Sequence, residues 1–312
     1  MQGGAAIGLG PLTSRNGIEA AQTTAATRPF DVRAFGATGQ KADSATEALQ
    51  NAIDACTAAG GGTVRVPAGG YTVGMIQLRD NVTLDLDAGA TLFLSQTNDE
   101  FPRGRRAMVF AENAHNIAVT GRGTLDGLAQ YVFTDMRGLD PEIADEIAIA
   151  RAAGVDMRRY YRTGVQTYMF ILNGCRNVLL RDISLLHSPL WNVRLNDCDR
   201  VHVHGVYIYS DLEKGVNADG IDIVSSRNVT ISDSIIETAD DAIVLKTIAR
   251  DGRPAQPTEN VTVTNCVLSS SSCALMIGTE TEADIRHVLF TSCVPSVMLP
   301  SAVTRMRIQV VP

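Results

Sequence analysis

Aromatic residues make up only 5% of this 312-residue chain, and tryptophan occurs once, at Trp191. That scarcity, beside plentiful Val, Ile, Thr, Asn, Gly and Ser, is the mixture that stacked short strands with polar turns require. Long apolar runs are also missing: none approaches 18 residues, which excludes a transmembrane helix. Positive charge is scarce too. The net charge of −7 argues against nucleic acid as a partner, and no basic tract marks a membrane surface. The six cysteines lack the CxxC spacing of a metal site. Cys175 and Cys198 fall at matching places in GCRNV and DCDRV, as do Cys266 and Cys293 in TNCV and TSCV, so stacked buried thiols are expected. Disulfide pairing is the alternative if the chain is exported.

A chain of this length can bury a large core, and a repetitive β architecture of such size forms one domain. We expect that domain over 30–312, as a monomer. Residues 1–29 are small and apolar, then polar, with no charge before Arg15. They resemble the hydrophobic and cleavage portions of an export signal without its basic start, with a junction at Ala21-Gln22. A disordered tail accounts for the same composition. The first alternative makes the protein secreted or periplasmic.

From Phe30 to Tyr71 the pattern is strand, loop, helix, strand. Ser44 to Glu47 has the form of a capping box, Leu49, Ile53 and Cys56 share one helical face, and Gly60-Gly61-Gly62 stops the helix. Such a helix is placed to cover the first edge of a solenoid. A repeat then begins: NVTLDL at Asn81, NIAVTG at Asn116, NVLLRDI at Asn177, RVHVHGV at Arg200, NVTISDS at Asn228, NVTVTNC at Asn260 and HVLFTSC at His287. Successive spacings are 35, 61, 23, 28, 32 and 27 residues. Those near the lower values suit one coil of a single-stranded parallel β-helix, an all-β fold. The longest gap holds an insertion at 128–166, with a helical pattern in PEIADEIAIARAAG and the basic, aromatic MRRYYRTG. Arg158, Arg159 and Tyr160 there are candidates to meet an anionic or sugar substrate; a solvated surface loop is the competing reading. Past Val294 the repeat fails, and 295–312 reads as an irregular tail, from truncation, an altered reading frame or a short wrapped end.

The densest carboxylate group lies in Asn217 to Lys246, NADGIDIVSSRNVTISDSIIETADDAIVLK. Asp219 and Asp240 are 21 residues apart and Asp241 follows at once. If that interval is one coil, the three side chains stack on neighbouring strands, about 4.8 Å apart. Like charges so placed call for a shared proton, a bound cation or a reaction to run. Plain turn residues are the bland explanation. Trp191 reads as a packed ring rather than a sugar platform. His202 and His204 alternate on one strand, lack a third ligand, and read as outward-facing.

Taken together, FGATGQ, AGGGTVRVPAGGY, GTLDG at Gly123 to Gly127, SPLW at Ser188 to Trp191, NADGID and DDAIVLK resemble glycoside hydrolase family 28, the polygalacturonase family, over Phe30 to Thr281. The resemblance implies a right-handed parallel β-helix and an inverting hydrolase of pectin-type polysaccharide, galacturonan or rhamnogalacturonan, with no metal and no cofactor. It makes Asp219, Asp240 and Asp241 catalytic, Asp240 as general acid while Asp219 and Asp241 hold and deprotonate water. Asn217 becomes a substrate-side residue. The sequence departs from the family pattern in three places. Lys246 stands at the asparagine-like position after DD, where it is a candidate to contact an acidic sugar or tune Asp240. The usual G-H-G is Ser272-Cys273-Ala274, and the R-I-K element that grips a uronate is matched only by Arg307-Ile308-Gln309. Two other functions fit the same residues: a calcium-dependent lyase or epimerase, and a carbohydrate-binding β-helix without catalysis.

Overall fold

The computed structural model describes residues 29–131, 133–135, 148–149, 151–154, 160–162, 165–212, 215 and 217–297. Nearly all of 1–29, the tail from 298, most of the expected insertion helix, and Arg158, Arg159 and Arg307 lie outside them. The described chain winds into a right-handed parallel β-helix of three sheets with nine, seven and eight strands, in which each strand pairs with those one coil before and after it.

The first sheet carries every copy of the repeat, from Val82–Leu86 through His115–Gly121 and Arg176–Arg181 to Ile285–Thr291. Its inward column runs Ile117, Val178, Val201, Val229, Val261, one β-branched residue above another. All five are essentially inaccessible to solvent. Burying such a side chain contributes about 1.5–3 kcal/mol, and the interior is narrow enough for aliphatic residues to fill. Few rings are needed, which accounts for the composition.

The residue that opens each repeat has its own physical role. Asn81, Asn116, Asn177, Arg200, Asn228, Asn260 and His287 all hold a positive φ, between 54° and 62°. Asparagine tolerates that left-handed conformation better than most residues. Their side chains also bond up the stack: Asn116 Nδ2 donates to Asn81 Oδ1 (2.8 Å), Asn177 Nδ2 to Asn116 Oδ1 (2.8 Å) and Asn260 Nδ2 to Asn228 Oδ1 (3.1 Å). Arg200 continues the ladder, its Nε donating to Asn177 Oδ1 at 2.6 Å.

The helix Thr46–Ala58 covers the first edge with Leu49, Ile53 and Cys56 buried, as its periodicity predicts. The expected capping box does not form. Ala45 is the N-cap and no side chain caps the helix. Ser44 is instead drawn into a parallel bridge with Thr72, its hydroxyl near Thr46 Oγ1. Docking displaces local capping: Thr46 Oγ1 accepts from Gly74 N (2.8 Å), and Gln50 exchanges hydrogen bonds with the Gln77 backbone. All six cysteines are free, and Cys175, Cys198 and Cys266 are buried.

In the insertion, Phe133–Asp135 pairs antiparallel with Tyr160–Arg162, so its two arms leave and return as a ribbon. The third sheet ends at Val294–Val297. The strand after Val294 extends the solenoid by pairing with Val267–Ser270, where the sequence predicts irregular chain. Pairing needs backbone groups rather than a repeat signature, so Pro295 is tolerated on this end strand.

Candidate active site

The second sheet positions the carboxylates. Its strands Ala107–Glu112, Tyr168–Asn173, Val193–Asn196, Ile221–Val224 and Ile243–Thr247 lie side by side. Ile221 pairs with Ile243 and Ile223 with Leu245, all buried inward. The coil here is therefore 22 residues long, one more than the interval read between Asp219 and Asp240. Asp219 consequently stacks on Asp241, whose carbonyl accepts from Gly220 N at 2.8 Å. Asp240 sits one position earlier on the same turn. A glycine is required at 220 because any Cβ there would run into the Ala242 carbonyl.

Each turn is tied to the next. The Asp219 carbonyl accepts from Asn192 N (2.8 Å) and Asn192 Nδ2 (2.9 Å). The Asp240 carbonyl accepts from the Thr238 and Ser270 hydroxyls, both at 2.7 Å. Asp241 Oδ1 accepts from Ser272 Oγ (3.0 Å) and Cys273 N (3.2 Å). Cys273, standing where the family pattern has histidine, thus holds Asp241 through its backbone. The result is that Asp219, Asp240 and Asp241 each present an oxygen within 4.8 Å of the other two. Asp219 is buried, with Oδ1 unpartnered, while Asp240 and Asp241 are half-buried.

Burial, then the charges of Asp222, Asp240 and Asp241, push the Asp219 carboxyl up to about 10. Burial and Asp240 push Asp241 up as well. Beneath them lies a residue that the motif reading passes over. Asp222 is fully buried on the strand Ile221–Val224 with neither carboxylate oxygen hydrogen-bonded, and burial raises it well above the usual range. The alternation in IDIV is the signal that marks it: an acidic residue between inward isoleucines must face outward, toward the site.

Lys246 was expected to contact an acidic sugar or to tune Asp240. The structure turns it onto the protein: it is 7% exposed, with Nζ 3.1 Å from Glu280 Oε2, 3.6 Å from Asp222 Oδ1 and 4.3 Å above the Trp191 ring. Burial disfavours its charge, but Asp222, Glu280 and Asp219 outweigh that, and its pKa is raised. Trp191 is buried, edge-on to Tyr168, and its Nε1 donates to Asn217 Oδ1 at 3.0 Å. Asn217, itself at φ 57°, therefore orients the ring beside the carboxylates. Tyr160 lies in the insertion ribbon opposite Asp135, and its side chain is outside the described residues. His202 and His204 are exposed on the first sheet, bonded to Thr230 and Ser232.

The sequence signature described as glycosyl hydrolases family 28 matches residues 56–289, most of the chain and the whole carboxylate region. The chain belongs to this family. Among its relatives, the exo-poly-alpha-D-galacturonosidase of Dickeya chrysanthemi is 24% identical over 306 residues, covering 86% of this chain and 50% of that protein. An endo-polygalacturonase of Pectobacterium parmentieri is 28% identical over 259 residues, covering 77% and 60%. The chain thus spans about half to three-fifths of the length of these relatives. Among solved structures, the polygalacturonase from Erwinia carotovora ssp. carotovora superposes with a TM-score of 0.63 at 26% identity, covering 81% of this chain and 66% of that one. The hyperthermoactive exopolygalacturonase from Thermotoga maritima shares the fold, with a TM-score of 0.69 at 24% identity, covering 86% and 66%.

Proposed function

We propose that this family 28 protein hydrolyses glycosidic bonds of a pectin-type uronate polysaccharide, galacturonan or rhamnogalacturonan, outside the cytoplasm. The observation that carries the proposal is the convergence of Asp219, Asp240 and Asp241 within 4.8 Å on the outer face of the second sheet. Names of relatives supply the substrate class, since those proteins are described as galacturonosidases and polygalacturonases.

Hydrolysis needs an acid at the leaving oxygen and a base for water. Asp240 is the acid. It stands on the turn that Thr238 and Ser270 fix through its carbonyl, and its half-buried carboxyl is steadied by Asp241 N, which donates to Asp240 Oδ1 at 3.0 Å. Asp219 and Asp241, stacked one coil apart, hold the water between them. Burial makes this pair retain a proton, so one member donates a hydrogen bond to water while the other, ionised, takes its proton. By separation alone, oxygens this close match the retaining spacing of about 5–5.5 Å better than the inverting one of about 6.5–9.5 Å. Those figures describe pairs, however, and here a third carboxylate can position water without becoming a nucleophile. The inverting course therefore stands as the proposal, as the family resemblance implies.

A calcium-dependent lyase would use the same cluster as a cation site. The ion requires six to eight oxygens, and the Lys246 ammonium already balances charge here through Asp222 and Glu280. The deciding experiment is reducing-end release from a panel of pectic polymers in excess chelator, with Asp240→Asn beside the wild type. We expect release that chelator leaves intact and that the variant reduces by about 10²–10⁴-fold. Saccharide binding without release would leave the non-catalytic reading, and unsaturated products lost on chelation would leave the lyase.

A further inference from the structure

The ladder between the last two described strands of the second sheet breaks at one place, opposite Lys246. Ile243 pairs with Leu275, Val244 with Met276 and Leu245 with Ile277, and pairing resumes only at Thr247 with Thr281. Three residues, Gly278, Thr279 and Glu280, therefore stand where the register calls for one. A bulge of this kind bends its strand and re-aims a side chain, and bulges are over-represented beside active sites. Thr247 pins this one. Its hydroxyl accepts from Glu282 N and Ala283 N, both at 2.8 Å, and its carbonyl accepts from Glu282 N at 3.1 Å.

The side chain that the bulge delivers is Glu280. Its Oε2 lies 3.1 Å from Lys246 Nζ and accepts from the Thr279 hydroxyl at 3.4 Å. The ammonium already has a buried acid, Asp222, at 3.6 Å and the Trp191 ring at 4.3 Å, so a second carboxylate is more than charge balance for Asp222 requires. The charged groups around Lys246 come from every neighbouring turn and strand. Asp219 and Asp222 stand on the coil before, Asp240 and Asp241 on the turn that leads into its own strand, and Glu280 on the coil after. Arg194, two coils before, lies 5.1 Å from the Trp191 ring centre, and its charge acts on Asp222. Glu280 differs from the buried acids. Its side chain is 45% exposed and its carboxyl is lowered below the usual range, so it stays an anion while Asp219, Asp222 and Asp241 hold protons.

We infer that Glu280 is a positioning residue: placed by the bulge, its carboxylate holds the Lys246 ammonium between Asp222 and solvent, and so limits how far that cation stabilises the anions of Asp222 and of the stacked pair Asp219 and Asp241. The role rests on the hydrolase reading for its effect on turnover, while its electrostatic part is measurable without turnover. Glu280 Oε2 and Asp222 Oδ1 flank one nitrogen and are no more than about 7 Å apart, where one charge in a largely wet setting moves a carboxyl by about 0.3–1 pH unit. Removing it leaves the cation to the buried acids, which then ionise at lower pH.

Glu280→Gln keeps the shape and removes the charge; Glu280→Asp keeps the charge on a shorter arm. Each is compared with wild type by carbon-13 NMR titration of the aspartate carboxyls and by the pH profile of kcat/KM on polygalacturonate. In Glu280→Gln the cluster carboxyls should titrate about 0.3–1 pH unit lower, and both limbs of the profile should move the same way, a twofold to tenfold change of rate on each limb. Glu280→Asp should recover most of the difference. Carboxyls and limbs that stay in place in Glu280→Gln, or a loss of rate equal at every pH and in both variants, would overturn the role. The two readings fail separately. A wild type that releases no reducing ends, but whose carboxyls move as stated in Glu280→Gln, loses the hydrolase and keeps the role of Glu280. Release with neither carboxyls nor limbs displaced does the reverse.

Discussion

Replacing Asp219 by asparagine should make the protein more stable, and increasingly so as pH rises. The folded state holds the Asp219 proton up to about pH 10, whereas an unfolded chain releases it near pH 4. For a carboxyl raised in this way, stability is fully present below about pH 4 and is lost as pH climbs toward the folded value. The loss is about 1.4 kcal/mol per pH unit for each proton held. Asp219 is 3% exposed, so solvent screening does little to reduce it. Between pH 5 and 8 one proton therefore amounts to about 4 kcal/mol, a large part of a typical 5–15 kcal/mol. At about 2 °C per kcal/mol for a protein of this size, wild-type melting should fall by about 8 °C relative to Asp219→Asn across that interval. The curves should nearly meet below pH 4.5. Thermal melts followed by circular dichroism, at constant ionic strength, measure the difference directly. A variant-minus-wild-type gap that stays flat with pH, or narrows as pH rises, would refute the account of Asp219 as a protonated buried carboxyl. The same variant should lose turnover, since stability given up at a site is commonly what function requires.

Three further outcomes follow from the same geometry. Lys246→Met should cost about 1–3 kcal/mol in a urea titration, because it strips the cation from buried Asp222, which then keeps its proton with no partner for either oxygen, and adding Asp222→Asn should recover part of that loss. If Asp219 and Asp241 activate water, proton NMR of the first product released should show the inverted anomer; the retained anomer would make one of the three carboxylates a nucleophile. Asn177→Ala should destabilise by about 1–3 kcal/mol, since it loses hydrogen bonds to Asn116 and Arg200 at a φ of 56°, and Asn177→Gly should cost less by relieving the backbone alone.

What could be read from the sequence divides along a physical line. The stacking of coils was legible because every copy of the repeat imposes the same demand, a left-handed residue followed by an inward β-branched column, and the copies fall in register in one sheet. The convergence of three acids followed from that stacking. Their alignment did not, since a one-residue difference in coil length pairs Asp219 with Asp241 rather than Asp240. The Ser44 box failed for a related reason. Local capping is worth about 1 kcal/mol, and the parallel bridge to Thr72 with the Gly74 and Gln77 contacts competes for the same segment. Lys246 was hardest to place, and Arg194 belongs to no motif that would have singled it out. Their long side chains leave outward positions and find partners on other coils, Glu280 34 residues on for Lys246 and the Trp191 ring for Arg194.

A solenoid also explains how so many acids come to share one face. In a compact domain, a cluster such as Asp219, Asp222, Asp240 and Asp241 would be free to spread apart by small shifts of the loops that carry it. Here the backbone leaves little room: Gly220 is pressed beneath Ala242, Asn192 grips the Asp219 carbonyl twice, and Ser270 fixes that of Asp240. Each coil is held by ladder bonds in three sheets, so the repulsion is relieved by keeping protons and by Lys246 rather than by movement. Burial makes Asp219, Asp222 and Asp241 poor anions in the resting protein, and under the proposed hydrolysis that same property would let the stacked pair Asp219 and Asp241 share a proton while holding water.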